Sequence, residues 1–396
     1  MAWREVLPMD ERVRFVLEVE RGELSVAEIC RLHGISRKTG YKWIARYHTE
    51  GLEGMRERSR RPLHCPHETS QEWQDRIIRV RLKHPRWGPK KIRVILEELG
   101  VPGAIPAVAT IGNIISRAGL VKSRRRPRQA NPRWREPLTE AKVPNHVWAV
   151  DYKGWFRTRD GQRCDPLTVS DLCSRYVLDV RGLPNQSYIW ARKSFEELFR
   201  QYGLPEIIRS DNGGPFASTG AGRLSRLSVW WMSLGIQPEL ITPGHPEQNG
   251  IHERMHLTLK QEACHPPAAN RRAQQRRFNQ WRIQFNEQRP HEALGMKKPA
   301  ERYRDSERRY PRRLVEPSYP EGYQVRRVRS NGEIKWCGRK RFLGTALKGV
   351  PVGVKRLEQG RSQVYVGPIL IGDLHDADSE GLRPTVSLPQ NLPGRT

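Results

Sequence analysis

Near Pro144 the sequence changes period, and that change constrains the fold more than any other feature of the chain. Upstream, apolar residues return at helical spacing between capping residues; downstream they alternate in short runs separated by turn signals. A chain of 396 residues with such a break folds as several domains of different class, not as one bundle or one sheet.

Two helical modules precede the break. Val13, Val16 and Leu17 supply the apolar stripe of a first helix. Ser25-Val26-Ala27-Glu28 has the form of a capping box, opening a helix with Ile29 and Leu32 that stops at Gly34. Ser36 then caps a helix from Arg37 to Tyr47, with Tyr41, Ile44 and Tyr47 facing inward and Arg37, Lys38, Thr39, Lys42 and Arg46 outward. A helix, a tight Gly turn and a basic helix make a helix-turn-helix, whose second element fits a DNA major groove. Thr69 to Glu72 caps a further helix holding Trp73, Ile77, Ile78, Val80 and Leu82. A helix with Ile92, Val94, Ile95 and Leu99 and a third around Ala109–Ala118 complete a second such unit.

Charge names the partner class. Lys plus Arg total 71 against 43 Asp plus Glu, a net +28, and so large an excess requires a polyanion. The basic stretches between modules, with Arg58, Arg60 and Arg61 in the first and Arg124, Arg125 and Arg126 in the second, are extended segments suited to phosphates or a minor groove. No apolar run reaches the length of a membrane span, and Met1 to Glu5 lacks a signal-peptide core. The six Cys form no CxxC pair, against both a disulfide framework and a Cys-rich zinc module. The expectation is a cytoplasmic, nucleoid-associated protein that binds double-stranded DNA and no membrane.

Beyond the break, Val147 to Tyr152 alternates as a strand and contains Asp151. Asp160-Gly161 turns a hairpin, Arg175–Leu183 is a third strand, and Ile189–Tyr202 is a helix. A short strand, Pro205–Ser210, leads into Asp211-Asn212-Gly213-Gly214. Glu253 lies in the first turns of a helix opening near Gln248. Three carboxylates at strand ends and a helix start can gather around two Mg²⁺ ions, with Mn²⁺ able to substitute. Hard cations take oxygen ligands, and two of them suit in-line phosphoryl transfer.

Trp148-Ala149-Val150-Asp151, Ser210-Asp211-Asn212-Gly213 and His245 to Arg254 together resemble the blocks of bacterial insertion-sequence transposases of the DDE superfamily, whose core is of the retroviral-integrase type. The resemblance covers about residues 10–300 and implies an RNase H-like core, a mixed five-stranded sheet with helices on both faces. It implies Mg-dependent cleavage at transposon terminal inverted repeats and transfer of the freed 3′-OH to target DNA, by a dimer or higher multimer. Asp151, Asp211 and Glu253 take the catalytic and metal-holding places, and Asn249, Arg254 and Lys260 lie where DNA would be touched. Glu247, with 35 residues between it and Asp211, competes with Glu253, which has 41. Glu253 is preferred because it stands in the Asn-Gly-x-x-Glu-Arg block with Lys260 two helical turns on. The extra residues fit an inserted loop around Ser218–Arg226.

His252-Glu253-Arg254-Met255-His256 also matches the H-E-x-x-H pattern of zinc proteases. The extended form of that motif is absent, and a protease gives no reason for the charge. The two His are expected to be DNA-facing or partly buried. A DNA-binding regulator derived from such an enzyme, with its chemistry lost, is the competing reading.

The fold class expected is multidomain α+β. Residues 1–55 are a helix-turn-helix domain, 56–68 a basic linker, 69–121 a second helix-turn-helix-like domain, 122–143 a basic linker and 144–302 the catalytic core. Residues 303–320 are a basic linker, 321–375 a small β-barrel and 376–396 a tail without ordered pattern. In the barrel, Ser330-Asn331-Gly332 is the hairpin turn, and Arg326, Arg327, Arg329, Lys335, Arg339, Lys340 and Arg341 face outward.

Overall fold

The computed structural model describes residues 8–58, 68–100, 102–121, 138–218, 223–242, 246–313, 316–378 and 381–384, and the chain divides into two compact units, residues 1–71 and 72–396. Arg60, Arg61, Arg124, Arg125 and Arg126 lie outside the described residues.

The first unit is α1 (Pro8–Arg21), α2 (Val26–Leu32) and α3 (Arg37–Glu50). The capping box forms: Ser25 Oγ accepts from Glu28 N at 3.4 Å, and Glu28 Oε2 accepts from Ser25 N at 3.0 Å. Ser36 Oγ accepts from Thr39 N at 3.2 Å, so both helix starts satisfy an otherwise orphaned donor. The core is Phe15, Val16, Ile29, Cys30, Trp43 and Met55. Leu17, Leu32 and Tyr41 are exposed, contrary to the sequence reading. Their faces are set by Gly40, where a Cβ would lie 2.5 Å from Cys30 Sγ and 3.0 Å from Phe15 Cζ. The close crossing of α3 over α2 and α1 turns Gly40 and Trp43 inward, which rotates Tyr41 out.

The second unit begins with α4 (Gln71–Lys83), α5 (Pro89–Glu98) and α6 (Val108–Arg117), closed around Ile77, Trp87, Ile92, Leu96, Ile111, Ile114 and Ile115. This bundle is tied to the core beyond it: Lys298 Nζ meets Glu98 Oε1 at 2.8 Å, and Lys90 Nζ meets Glu292 Oε2 at 3.0 Å.

The core sheet contains β1 (Val147–Tyr152), β2 (Phe156–Arg157), β3 (Arg163–Asp171), β4 (Val177–Leu183), β5 (Ile207–Ser210) and β6 (Gln237–Leu240). Its path is β2-β3-β1-β5-β6 with β4 also on β3. The β1–β3 and β3–β4 pairs are antiparallel, while β1–β5 and β5–β6 are parallel. The parallel pairs need crossovers, and α7 (Tyr188–Tyr202) and α8 (Arg226–Ser233) supply them. Those helices cover one face, where Trp148, Val150, Leu167 and Val169 meet Phe195, Phe199, Trp230 and Trp231. On the other face α9 (Gly250–Leu259) and α10 (Arg271–Ile283) bring Met255, Leu259, Phe278 and Trp281 against Cys164, Val177 and Val180. This is the mixed sheet with helices on both faces that the resemblance implied, with six strands instead of five because the short β2 adds to the edge of β3.

The stretch expected to link the core to the C-terminal part is packed on the core instead. After α11 (Pro299–Arg302), Tyr303 stacks on Tyr176 at 4.4 Å, Ser306 N donates to Tyr202 O at 2.8 Å, and Arg308 donates to Pro205 O at 2.5 Å. Its basic composition suggested a solvated linker, but its tyrosines and an arginine that satisfies core carbonyls hold it down.

The C-terminal part contains β7 (Tyr323–Arg327), β8 (Glu333–Trp336), β9 (Arg339–Phe342), β10 (Pro351–Arg356), β11 (Arg361–Val366), β12 (Ile369–His375) and β13 (Arg383–Pro384). The expected strands are present, but among the described residues their hydrogen bonding does not close a barrel. The sheet is open, ordered β13-β12-β11-β10-β7, and β8–β9 stands apart as a hairpin. Its turn is Cys337-Gly338, at φ +47° and +74°. Ser330-Asn331-Gly332 turns as expected, with Gly332 N donating to Arg329 O at 3.0 Å and Arg329 N to Glu333 O at 2.9 Å, but the strand before it pairs with β10 and not with β8. Arg341 is buried, not outward: opposite Ile334 in that hairpin, it faces in and donates to main-chain oxygens of Asp376 and Asp378. The tail likewise returns to the sheet through β13.

Candidate active site

Parallel pairing of β1 with β5 matches Val147 to Ile207, Trp148 to Ile208 and Ala149 to Arg209. That pairing leads toward Asp151 near the end of β1 and toward Asp211 just past the end of β5. Buried Arg209 fixes the approach to Asp211 by pairing with Glu239 Oε2 of β6 at 2.6 Å and donating to Thr139 O. Asp211 Oδ1 then accepts from Gly213 N at 3.1 Å. Asn212 donates to Ile241 O at 2.7 Å, while its buried Oδ1 has no protein partner.

Residues Pro246–Asn249 form a 3₁₀ turn, in which Glu247 falls, and α9 starts at Gly250. Glu253 is exposed in its first turn. Arg254, Leu257 and Lys260 are also exposed, while His252, Met255, His256 and Leu259 are buried against the sheet. Lys260 keeps helical backbone angles at the C-cap, so the seven-residue spacing does place it on the side of the helix that carries Glu253. Asn249 is buried with Oδ1 unpartnered.

Electrostatics show the three acids in one field. The Asp151 carboxyl is pushed up to about 7, first by burial, then by the charge of Asp211 and, more weakly, of Glu253. Lys153 and a main-chain N–H oppose the shift. Acid sets that repel one another are relieved by a cation, and an all-oxygen donor set suits a hard one. Among the described residues no three His, Cys, Asp or Glu side chains stand close enough to hold an ion as arranged. The oxygen donors themselves are of the kind a hard cation takes, and Glu253 is the exposed member of the three.

Beneath Asp151 lies a group that sequence reasoning missed. Thr168 pairs with Asp151 across β1 and β3, and its hydroxyl is within 2.7 Å of His252 Nε2 and 2.6 Å of His256 Nε2. The two His are buried, at 0% and 6% exposure, so neither faces DNA. Burial holds them neutral, with His252 pushed down to about 3 and His256 to about 2. Both Nε2 atoms are thus committed to a hydroxyl, and the H-E-x-x-H match is no zinc site. A signal existed in the sequence: polar Thr168 and Ser170 at period two, and His at period four.

Asp171 and Asp179 make structural contacts within the core. Asp171 accepts from the main-chain N–H groups of Asn145 and Ser174, each at 3.3 Å, and Asp179 pairs with Arg181 at 3.0 Å. In the first unit Arg37, Lys38 and Lys42 are exposed, whereas Thr39 and Arg46 are half-buried. Lys42, Arg46 and Arg12 pack on the Trp43 ring at 4.3, 4.9 and 4.2 Å. Arg58 is paired with Glu50.

Comparison with known proteins bears on the family of the core and of the helical modules. Two models of the integrase core domain match residues 141–246 and 234–299. A helix-turn-helix domain matches residues 11–62 and a homeodomain-like domain residues 39–115. The 31.7-kDa protein of insertion element IS407 of Burkholderia multivorans is 25% identical over 71% of this chain and 91% of its own. The chain carries an integrase core and resembles insertion-sequence transposases. The 39.2-kDa protein of insertion element IS476 of Xanthomonas euvesicatoria is 24% identical over 75% of this chain and 78% of its own. The Gag-Pol polyprotein of baboon endogenous virus is 39% identical over 31% of this chain, a stretch that is 7% of the polyprotein. Integrase core and helix-turn-helix thus stand in one chain, and none of its described helices is long and apolar enough to cross a membrane.

Proposed function

We propose that this chain is a transposase that binds the terminal inverted repeats of its element, cleaves them to free 3′-OH ends and joins those ends to target DNA. The observation that carries the reading is the electrostatic coupling of Asp151, Asp211 and Glu253, which come from two parallel strand ends and a helix start. Asp151, Asp211 and Glu253 would hold two Mg²⁺ ions, which when bound neutralise charge at the reacting phosphate and activate the attacking oxygen. Arg254, Lys260 and Asn249 would position the DNA terminus beside them. Arg37, Lys38, Thr39, Lys42 and Arg46 would read the repeat, with phosphates held by Arg58, Arg60, Arg61 and Arg124 to Arg126. Two copies or more would pair the element's ends, with the helical modules, the core and the C-terminal sheet acting as separate functional domains.

The test is joining of a labelled terminal-repeat duplex to plasmid in Mg²⁺, comparing the wild type with Glu253→Gln and Glu247→Gln. Loss in Glu253→Gln alone, with repeat binding retained, supports the reading. A wild type that binds its ends but joins none overturns it in favour of a DNA-binding regulator.

A further inference from the structure

The Thr168 hydroxyl has one proton and three partners: the main-chain O of Asp151 at 2.9 Å, His252 Nε2 at 2.7 Å and His256 Nε2 at 2.6 Å. A carbonyl oxygen only accepts, so the proton goes to Asp151 O, and both His must donate to Thr168. Each ring is then the Nε2–H tautomer. His252 Nδ1, left with a lone pair, accepts from Ser170 Oγ at 2.7 Å. His256 Nδ1, also with a lone pair, lies 3.6 Å from Asp151 Oδ2.

Two consequences follow from this proton count. The Asp151 main chain is tied through Thr168 to two rings spaced one turn apart on α9, the helix that carries Glu253. The lone-pair edge of His256 repels an ionised Asp151 oxygen, which turns the carboxylate away from the helix and toward Asp211. We propose that Thr168, His252 and His256 are positioning residues, which fix the distance between the β1 acid and the α9 acid and aim the Asp151 carboxylate. This rests on the active-site reading above, yet the tautomer assignment stands or falls on its own.

The experiment uses full-length protein with nitrogen-15 histidine, in wild type, Thr168→Val, Thr168→Ser and Ser170→Ala. Imidazole nitrogen shifts report the tautomers. Mn²⁺ binding without DNA, read by electron paramagnetic resonance, reports the acid geometry, and strand joining gives rate and half-saturating DNA. Expected are Nε2–H tautomers at both His in the wild type. Thr168→Val should lower Mn²⁺ affinity and joining rate roughly 10–100-fold with half-saturating DNA unchanged, as for other groups that orient metal ligands. Thr168→Ser should restore both, since it keeps the hydroxyl. Ser170→Ala, which frees only His252, should give a smaller loss with a mixed His252 tautomer, and it serves if Thr168→Val does not fold. An Nδ1–H tautomer at either ring, or wild-type Mn²⁺ affinity in both Thr168→Val and Ser170→Ala, overturns the proposal. If the wild type joins no ends, the transposition chemistry fails separately, and the tautomer and Mn²⁺ readings still decide the positioning role.

Discussion

Asp211 adds to burial in raising the affinity of Asp151 for a proton, its charge standing just past the end of the strand that runs parallel to β1. Removing one charge should therefore relieve the protein and disable cation binding together. In thermal melts without metal, Asp211→Asn is expected to match or exceed the wild type by a few degrees, on the order of 1 kcal/mol. Added Mg²⁺ or Mn²⁺ should stabilise the wild type and leave Asp211→Asn unmoved. Equal cation shifts in both proteins would separate Asp211 from the cation site.

The Arg209–Glu239 pair fastens β5 to β6 in a nearly dry setting. Arg209→Met strands a buried carboxylate, and denaturant titration should show a loss of about 3–5 kcal/mol. Changing Glu239 to Met as well should recover most of it. A single variant as stable as the wild type would mean that water reaches the pair.

Asp171 carries a pH signature away from the acid set. Burial pushes it up to about 6 from an ordinary 3.8. The native state then holds a proton that the unfolded chain releases, so this contribution to stability is complete below about pH 4 and is lost as pH rises through about 6. Asp171→Asn cannot titrate. The stability of that variant relative to wild type should therefore rise between pH 5 and pH 8, followed by urea melts at each pH. A flat difference would place Asp171 in contact with solvent.

Gly40 leaves no room for a methyl group between α3 and the Cys30–Phe15 surface. Gly40→Ala is expected to loosen the first unit by about 1–3 kcal/mol. Hydrogen exchange of the full chain should show faster exchange within residues 8–58 and no change in the core sheet. Unaltered protection at α3 would show that the crossing can widen.

Arg37 and Lys38 stand exposed at the start of α3. If both touch phosphates, replacing each with Ala should reduce the slope of log affinity against log salt by about 0.9. An unchanged slope with weakened binding would assign them to bases instead.

Much of this was legible because local chemistry decided it. Ser25 with Glu28, Asp160-Gly161, and the strands ending near Asp151 and Asp211 each carry their own capping, turn or alternation signal. What was not legible depended on distant partners. Leu17 and Tyr41 fit a helical stripe as well as Phe15 and Trp43 do, and only the Gly40 crossing chooses between them. Arg341 has a surface composition but an inward register, set by the turn at Cys337-Gly338. Tyr303 and Arg308 look like linker until Tyr176 and the carbonyl of Pro205 are beside them. The proton sharing around Thr168 joins residues more than 80 positions apart, and no local pattern states it.

The order of the acids along the chain sets an order in time. Asp151 meets Asp211 only after the crossover through α7 is made, and Glu253 joins after α8 and β6. The first helical unit, compact in itself, emerges from the ribosome before any of them. A nascent chain thus completes its first helical unit long before the last of the three acids has left the ribosome.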